Sequence, residues 1–75
     1  MLKKNNNCWI RLNGKSYRLS VEKQINLYHL LKFFGYPINL IALEYNRKIL
    51  PSKHWLHTYI KSQDLIEIVT IVGGG

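Results

Sequence analysis

The sequence predicts a small α+β roll: one mixed sheet of four to five strands with a single main helix on one face. Three observations point there. Alternating apolar residues flank an Asn-Gly pair near the start, the period then turns helical once, and strand-like runs fill the remainder. A lone amphipathic helix cannot bury its stripe unaided, so it must cover the sheet. The 75 residues suffice for one small domain, which buries only about 60–65% of its unfolded surface. A deep cleft walled by a large core is excluded.

Residues 1–7 read as a solvated arm, 8–71 as the folded body and 72–75 as a flexible tail. Cys8-Trp9-Ile10-Arg11-Leu12 alternates, with Ile10 and Leu12 on one face. Asn13-Gly14 then marks a two-residue hairpin, because a type I′ turn needs positive φ at both central positions. Ser16 to Val21 alternates again, turning Tyr17, Leu19 and Val21 inward. Leu27, Leu30, Leu31 and Phe34 follow at i, i+3, i+4 and i+7, one stripe of a two-turn helix. Asn26 suits its N-cap, Gly35 its C′ position, and Pro37 stops it. Ile41 to Tyr45 reads as a third strand ending at Asn46-Arg47. Ile49-Leu50-Pro51 is a short extended piece that proline keeps at an edge. Ser52 to Trp55 reads as a turn of helix. Leu65 to Val72 is continuously β-prone, as a buried central strand would be. The helix stripe should pack on Ile10, Leu12, Leu19, Leu43, Ile66 and Ile68.

The net charge is +7. Nine of the eleven basic residues precede position 49, so the basic excess belongs to the first two thirds. Such a balance invites an acidic partner or a nucleic acid. Lys, Asn and Ile, whose codons are A/T-rich, make up 24 residues, so genome composition alone also accounts for the bias. No apolar run is long enough to span a membrane. The start, MLKKNNN, is unlike a secretory signal. Cys8 stands alone and cannot form an internal disulfide, which fits a reducing compartment.

Side-chain chemistry is sparse. His54 and His57 are three apart, but no carboxylate or thiolate completes a zinc set, so no metal site is expected. There is no Ser/His/Asp arrangement, no carboxylate pair at catalytic spacing and no phosphate-cradling glycine loop. Trp9 with Arg11, and Tyr17 with Arg18, could stack and charge-pair with single-stranded nucleic acid, though the small sheet needs its aromatics for packing. Glycine is more telling. Gly14 and Gly35 are explained by a turn and a helix end. Gly73, Gly74 and Gly75 follow the last strand, where no turn requires them. Residues without side chains suit an arm that enters a narrow tunnel in another protein, and Val72 to Gly75 extended would reach about 13 Å.

The segment Ile66-Glu67-Ile68-Val69-Thr70-Ile71-Val72-Gly73-Gly74-Gly75 resembles the end of the ThiS sulfur carriers of thiamine biosynthesis. Leu43-Glu44-Tyr45-Asn46-Arg47-Lys48-Ile49-Leu50-Pro51, followed by Trp55, resembles that family's V-x-x-N-x-x-I-V-P-x-x-x-W segment, and Leu12-Asn13-Gly14-Lys15 its opening hairpin. The resemblance covers residues 8–75. It departs at Arg47 and Gln63, where the family commonly has glycine, and this puts two turns in question. The resemblance implies a ubiquitin-like β-grasp fold. It further implies a protein co-substrate, not an enzyme, that binds no cofactor itself. Its Gly75 carboxylate would be adenylated with Mg-ATP by a ThiF-type enzyme, converted to a thiocarboxylate using a sulfur donor protein, and spent on a ThiG-type thiazole synthase. The alternatives are the small subunit of molybdopterin synthase or another ubiquitin-like carrier, and a small basic nucleic-acid-binding module. The free chain is expected to be a monomer that binds neither nucleic acid nor membrane. Its compartment would be the plastid stroma, or the cytoplasm of a bacterium.

Strand parity predicts where such partners dock. If Ile66 and Ile68 face the helix, Glu67, Val69 and Ile71 face the other way. The third strand then turns Leu43 and Tyr45 inward and Ala42 and Glu44 outward. The expected partner face is thus Ala42, Glu44, Glu67, Val69 and Ile71, beside the Gly73–Gly75 tail.

Overall fold

A computed structural model describes residues 6–21 and 23–71. Strands β1 (Asn6–Leu12) and β2 (Lys15–Val21) form the first hairpin. Helix α1 (Leu27–Phe33) and a 3-10 turn (Ile38–Leu40) lead into β3 (Ile41–Tyr45) and β4 (Lys48–Ile49). A second 3-10 segment (Ser52–His57) precedes β5 (Leu65–Thr70). The five strands form one sheet in the order β2-β1-β5-β3-β4, with β5 parallel to β1 and antiparallel to β3. The last strand in sequence is therefore the middle strand in space.

The predicted turn chemistry is present at the first hairpin, and a second hairpin, at one of the two turns in question, repeats it. Asn13 and Gly14 have φ of 50° and 83°, as a type I′ turn demands. Asn46 and Arg47, between β3 and β4, repeat the pattern with φ of 52° and 73°. Helix α1 starts where Asn26 Oδ1 accepts the His29 N–H at 2.8 Å. It ends in a Schellman motif: the Gly35 N–H (φ 81°) donates to the Lys32 carbonyl, and the Tyr36 N–H to that of Leu31.

The core lies between α1 and one sheet face. Leu27, Leu30 and Leu31 pack over Ile10, Leu12, Leu43, Ile66 and Ile68, all buried. Trp55, Ile60, Ile41 and Cys8 complete it. Trp55 is fully buried and its Nε1–H donates to the Leu50 carbonyl at 2.9 Å, so the indole contributes its large area without an unpaired donor.

Several expectations need correction. Phe34 is the helix cap and only half-buried, set edge-on against Tyr17 at 5.1 Å. Tyr17 and Leu19 are likewise half-buried because β2 is an edge strand with little beyond it. The side chain of Val21 lies outside the described ones. β5 is central but not buried on both faces. It stops at Thr70, and its burial alternates because one helix covers only one side of the sheet. β1 begins at Asn6, two residues inside the expected arm, by pairing with Val21. The helical turn after Pro51 runs on to His57. The remaining arm residues and the tail lie outside the described residues.

Candidate functional site: the open sheet face and the exit of β5

The uncovered sheet face presents alternate residues of every strand. From one edge to the other these are Ser16, Arg18 and Ser20 on β2, Trp9 and Arg11 on β1, Leu65, Glu67 and Val69 on β5, Ala42 and Glu44 on β3, and Ile49 on β4. The register sets Ala42 opposite Val69 and Glu44 opposite Glu67. A shallow groove of about 450 Å³ runs along these strands, lined by Ala42, Glu44, Ile49, Leu65, Glu67 and Val69, with Arg47 at its end. The structure thus brings four of the expected partner residues into one groove. Ile71 lies just past the strand, exposed, and its N–H donates to the Leu40 carbonyl. Gly73, Gly74 and Gly75 lie outside the described residues.

The face is electrically divided. Arg11 and Arg18 stand on the β1–β2 half, whereas Glu44 and Glu67 sit directly opposite one another on the β3–β5 half. Like charges in register oppose pairing of their strands, so the sheet keeps them against a local cost. Around the two carboxylates, Val69 is 63% and Ile49 76% exposed. Ile49, Leu65 and Arg47 were missing from the expected face. The signal for Ile49 was the Asn46-Arg47 pair, since a two-residue hairpin fixes Glu44 opposite Ile49.

Two asparagines hold β5 in place. Asn13 Oδ1 accepts the Ile68 N–H at 2.7 Å, and Asn46 Oδ1 accepts the Leu65 N–H at 2.8 Å. Each asparagine also donates its own N–H to a β5 carbonyl, that of Ile66 or Leu65. β1 reaches only the first two residues of β5, so the Asn13 side chain extends the ladder past the end of its own strand. Asp64, buried just before β5, accepts from Tyr45 Oη, Asn46 Nδ2 (3.1 Å) and the Lys61 N–H (2.7 Å). Burial, and then the hydrogen bond to Asp64, push the Tyr45 phenol well above its ordinary range. Burial also raises the Cys8 thiol, with the Asp64 charge adding to it, so Cys8 is a packing residue and a poor nucleophile. No group of three metal-ligating side chains occurs among the described residues.

A five-stranded mixed sheet wrapped on one helix, with the middle strand running on toward a Gly-Gly-Gly sequence, defines the class of ubiquitin-like β-grasp domains. The crystal structure of thiamine biosynthesis protein ThiS from Geobacter metallireducens has this fold, with a TM-score of 0.76 at 24% identity over 89% of this chain and 99% of that one. The solution structure of a thiamine biosynthesis protein from the same organism superposes with a TM-score of 0.70, covering 89% and 87%. The chain belongs to the ThiS family, whose model matches residues 10–75. It is 45% identical to protein ycf40 of Trieres chinensis over 85% of each chain. It is 39% identical to protein ycf40 of Porphyra purpurea over 95% of this chain and 97% of that one.

Proposed function

We propose that the chain is a sulfur carrier for thiazole formation in thiamine biosynthesis, acting as a co-substrate with no catalytic side chains of its own. The observation that carries this reading is the family match, which runs through Gly73, Gly74 and Gly75. The Gly75 carboxylate attacks the α-phosphorus of ATP on a ThiF-type enzyme, which releases pyrophosphate. A sulfide-level nucleophile then attacks the carbonyl carbon of the acyl-adenylate: the C–S bond forms, the C–O bond to AMP breaks, and a thiocarboxylate remains. Sulfur then passes to a ThiG-type synthase. ATP and Mg belong to the activating enzyme, and the sulfur comes from a donor protein. Ala42, Glu44, Glu67, Val69 and Ile71 dock the partner, while Gly73 and Gly74 thread its tunnel. The A/T-rich composition and the algal ycf40 relatives favour the plastid stroma over a bacterial cytoplasm.

The test is intact-mass spectrometry after incubation with a ThiF-type enzyme, Mg-ATP and a sulfur source. The expected product has one oxygen replaced by sulfur at Gly75, and Gly74→Val abolishes conversion. If the native chain takes up no sulfur but shifts short RNA in a steeply salt-dependent way, the carrier reading gives way to the nucleic-acid one.

A further inference from the structure

At the far edge of the sheet from β4, a long edge strand lies beside an apolar groove. β2 is seven residues long and forms one edge of the sheet. The two-residue loop makes Leu12 and Lys15 a hydrogen-bonded pair, and such pairs alternate along an antiparallel ladder. The main-chain groups of Ser16, Arg18 and Ser20 are therefore directed away from β1, along the free edge. The other sheet edge, β4, has only two residues and ends near Pro51, which protects it. Beside β2, on the helix side, lies an apolar groove of about 400 Å³ lined by Tyr17, Leu19, Ile25, Leu30, Phe33 and Phe34. Phe33 is 76% exposed, a large ring that the core does not use.

We propose that this edge and groove bind an extended, apolar peptide segment with acidic flanks, added to the sheet as a strand beside β2. Main-chain hydrogen bonds would come from Ser16, Arg18 and Ser20, and every second side chain of the peptide would enter the groove against Phe33 and Tyr17. Charge selects the flanks. From Lys15 to Lys32 the chain has four cations, Lys15, Arg18, Lys23 and Lys32, and one acid, Glu22. Charged side chains on an edge also discourage pairing of two identical copies, so a second copy is disfavoured where an acidic segment is welcome. β2 lies two strands from β5, about 10 Å away, on the far side of β1 from the β5 exit. The site is thus independent of the sulfur-carrier reading and compatible with it.

The test titrates the ¹⁵N-labelled chain with a synthetic peptide of alternating valine and isoleucine flanked by aspartates. Shifts should centre on Ser16, Arg18 and Ser20, whose amides become protected from exchange. Ser20→Pro removes one outward donor at an edge position that tolerates proline and is expected to weaken binding roughly tenfold. Phe33→Ala, a change at an exposed ring, should weaken it comparably while leaving the melting curve unchanged. A lysine-flanked peptide should bind at least about tenfold more weakly. Shifts confined to the β3–β5 groove around Glu44, Glu67 and Val69, equal binding of both peptides, or unchanged affinity in both variants would each overturn the proposal.

Discussion

Arg47 and Gln63 adopt φ of 73° and 76°, at the two positions where glycine was the expected residue. A side chain in this region costs about 1–2 kcal/mol, while glycine gives back part of that through a freer unfolded chain. Arg47→Gly and Gln63→Gly should therefore each raise stability by about 0.5–1 kcal/mol, read from the urea midpoint at unchanged slope. Tyr45 acts in the other direction. Burial disfavours the phenolate, and only the protonated phenol can donate to Asp64, so its folded-state pKa lies above its unfolded one. That contribution is complete below the ordinary tyrosine value of about 10 and is lost as pH rises through the folded value. Melting temperature should fall more steeply above about pH 10 in the native chain than in Tyr45→Phe. Equal alkaline slopes would remove the Tyr45–Asp64 bond from the account.

Helix α1 has seven residues, too few to persist without tertiary contacts. Its cap, its Schellman end and its buried leucines must act together. Leu31 is fully buried, so Leu31→Ala should cost about 2–5 kcal/mol. A chain of this size holds roughly 4–11 kcal/mol in total, so its denaturation midpoint should drop by about half. Phe34→Ala, at the half-buried cap, should cost markedly less, and equal losses would mean that the stripe continues through Phe34. The elements were legible because each carries its own local signal: Asn-Gly for the hairpin, Asn26 and Gly35 for the helix ends, and alternation for the strands. The roles of Asn13 and Asn46 were not legible. Each reads as a turn residue, and only the fold brings its side-chain carbonyl to a β5 amide 55 or 19 residues away. Composition read β5 as a strand buried on both faces, because its outward Leu65 and Val69 are as apolar as its inward Ile66 and Ile68; only parity and the outward Glu67 pointed to an open side.

The molecule as a whole has a covered face that makes it stable and an open face divided by charge. Val69 is exposed in the middle of the groove, so Val69→Asp should leave the melting curve near native and weaken binding to a ThiF-type enzyme about tenfold, measured by calorimetric titration. Unchanged affinity would move the docking surface elsewhere. Parity placed Ala42, Glu44, Glu67 and Val69 on this face from sequence alone. The neighbouring Arg11 and Arg18, which make the face bipolar, emerged only with the strand order. That order also bears on biosynthesis. β1, made first, finds its inner neighbour only when β5 is made, and the Asn13–Ile68 bond closes across most of the chain. Such long closures slow folding, and a nascent chain stalled before residue 65 has a gap in the middle of its sheet. Truncated copies remain open to proteases, whereas a copy that has folded has already been translated to within a few residues of the glycines. Under the carrier function proposed above, folding would act as a proofreading step: an activating enzyme that recognises the assembled sheet would leave fragments unactivated.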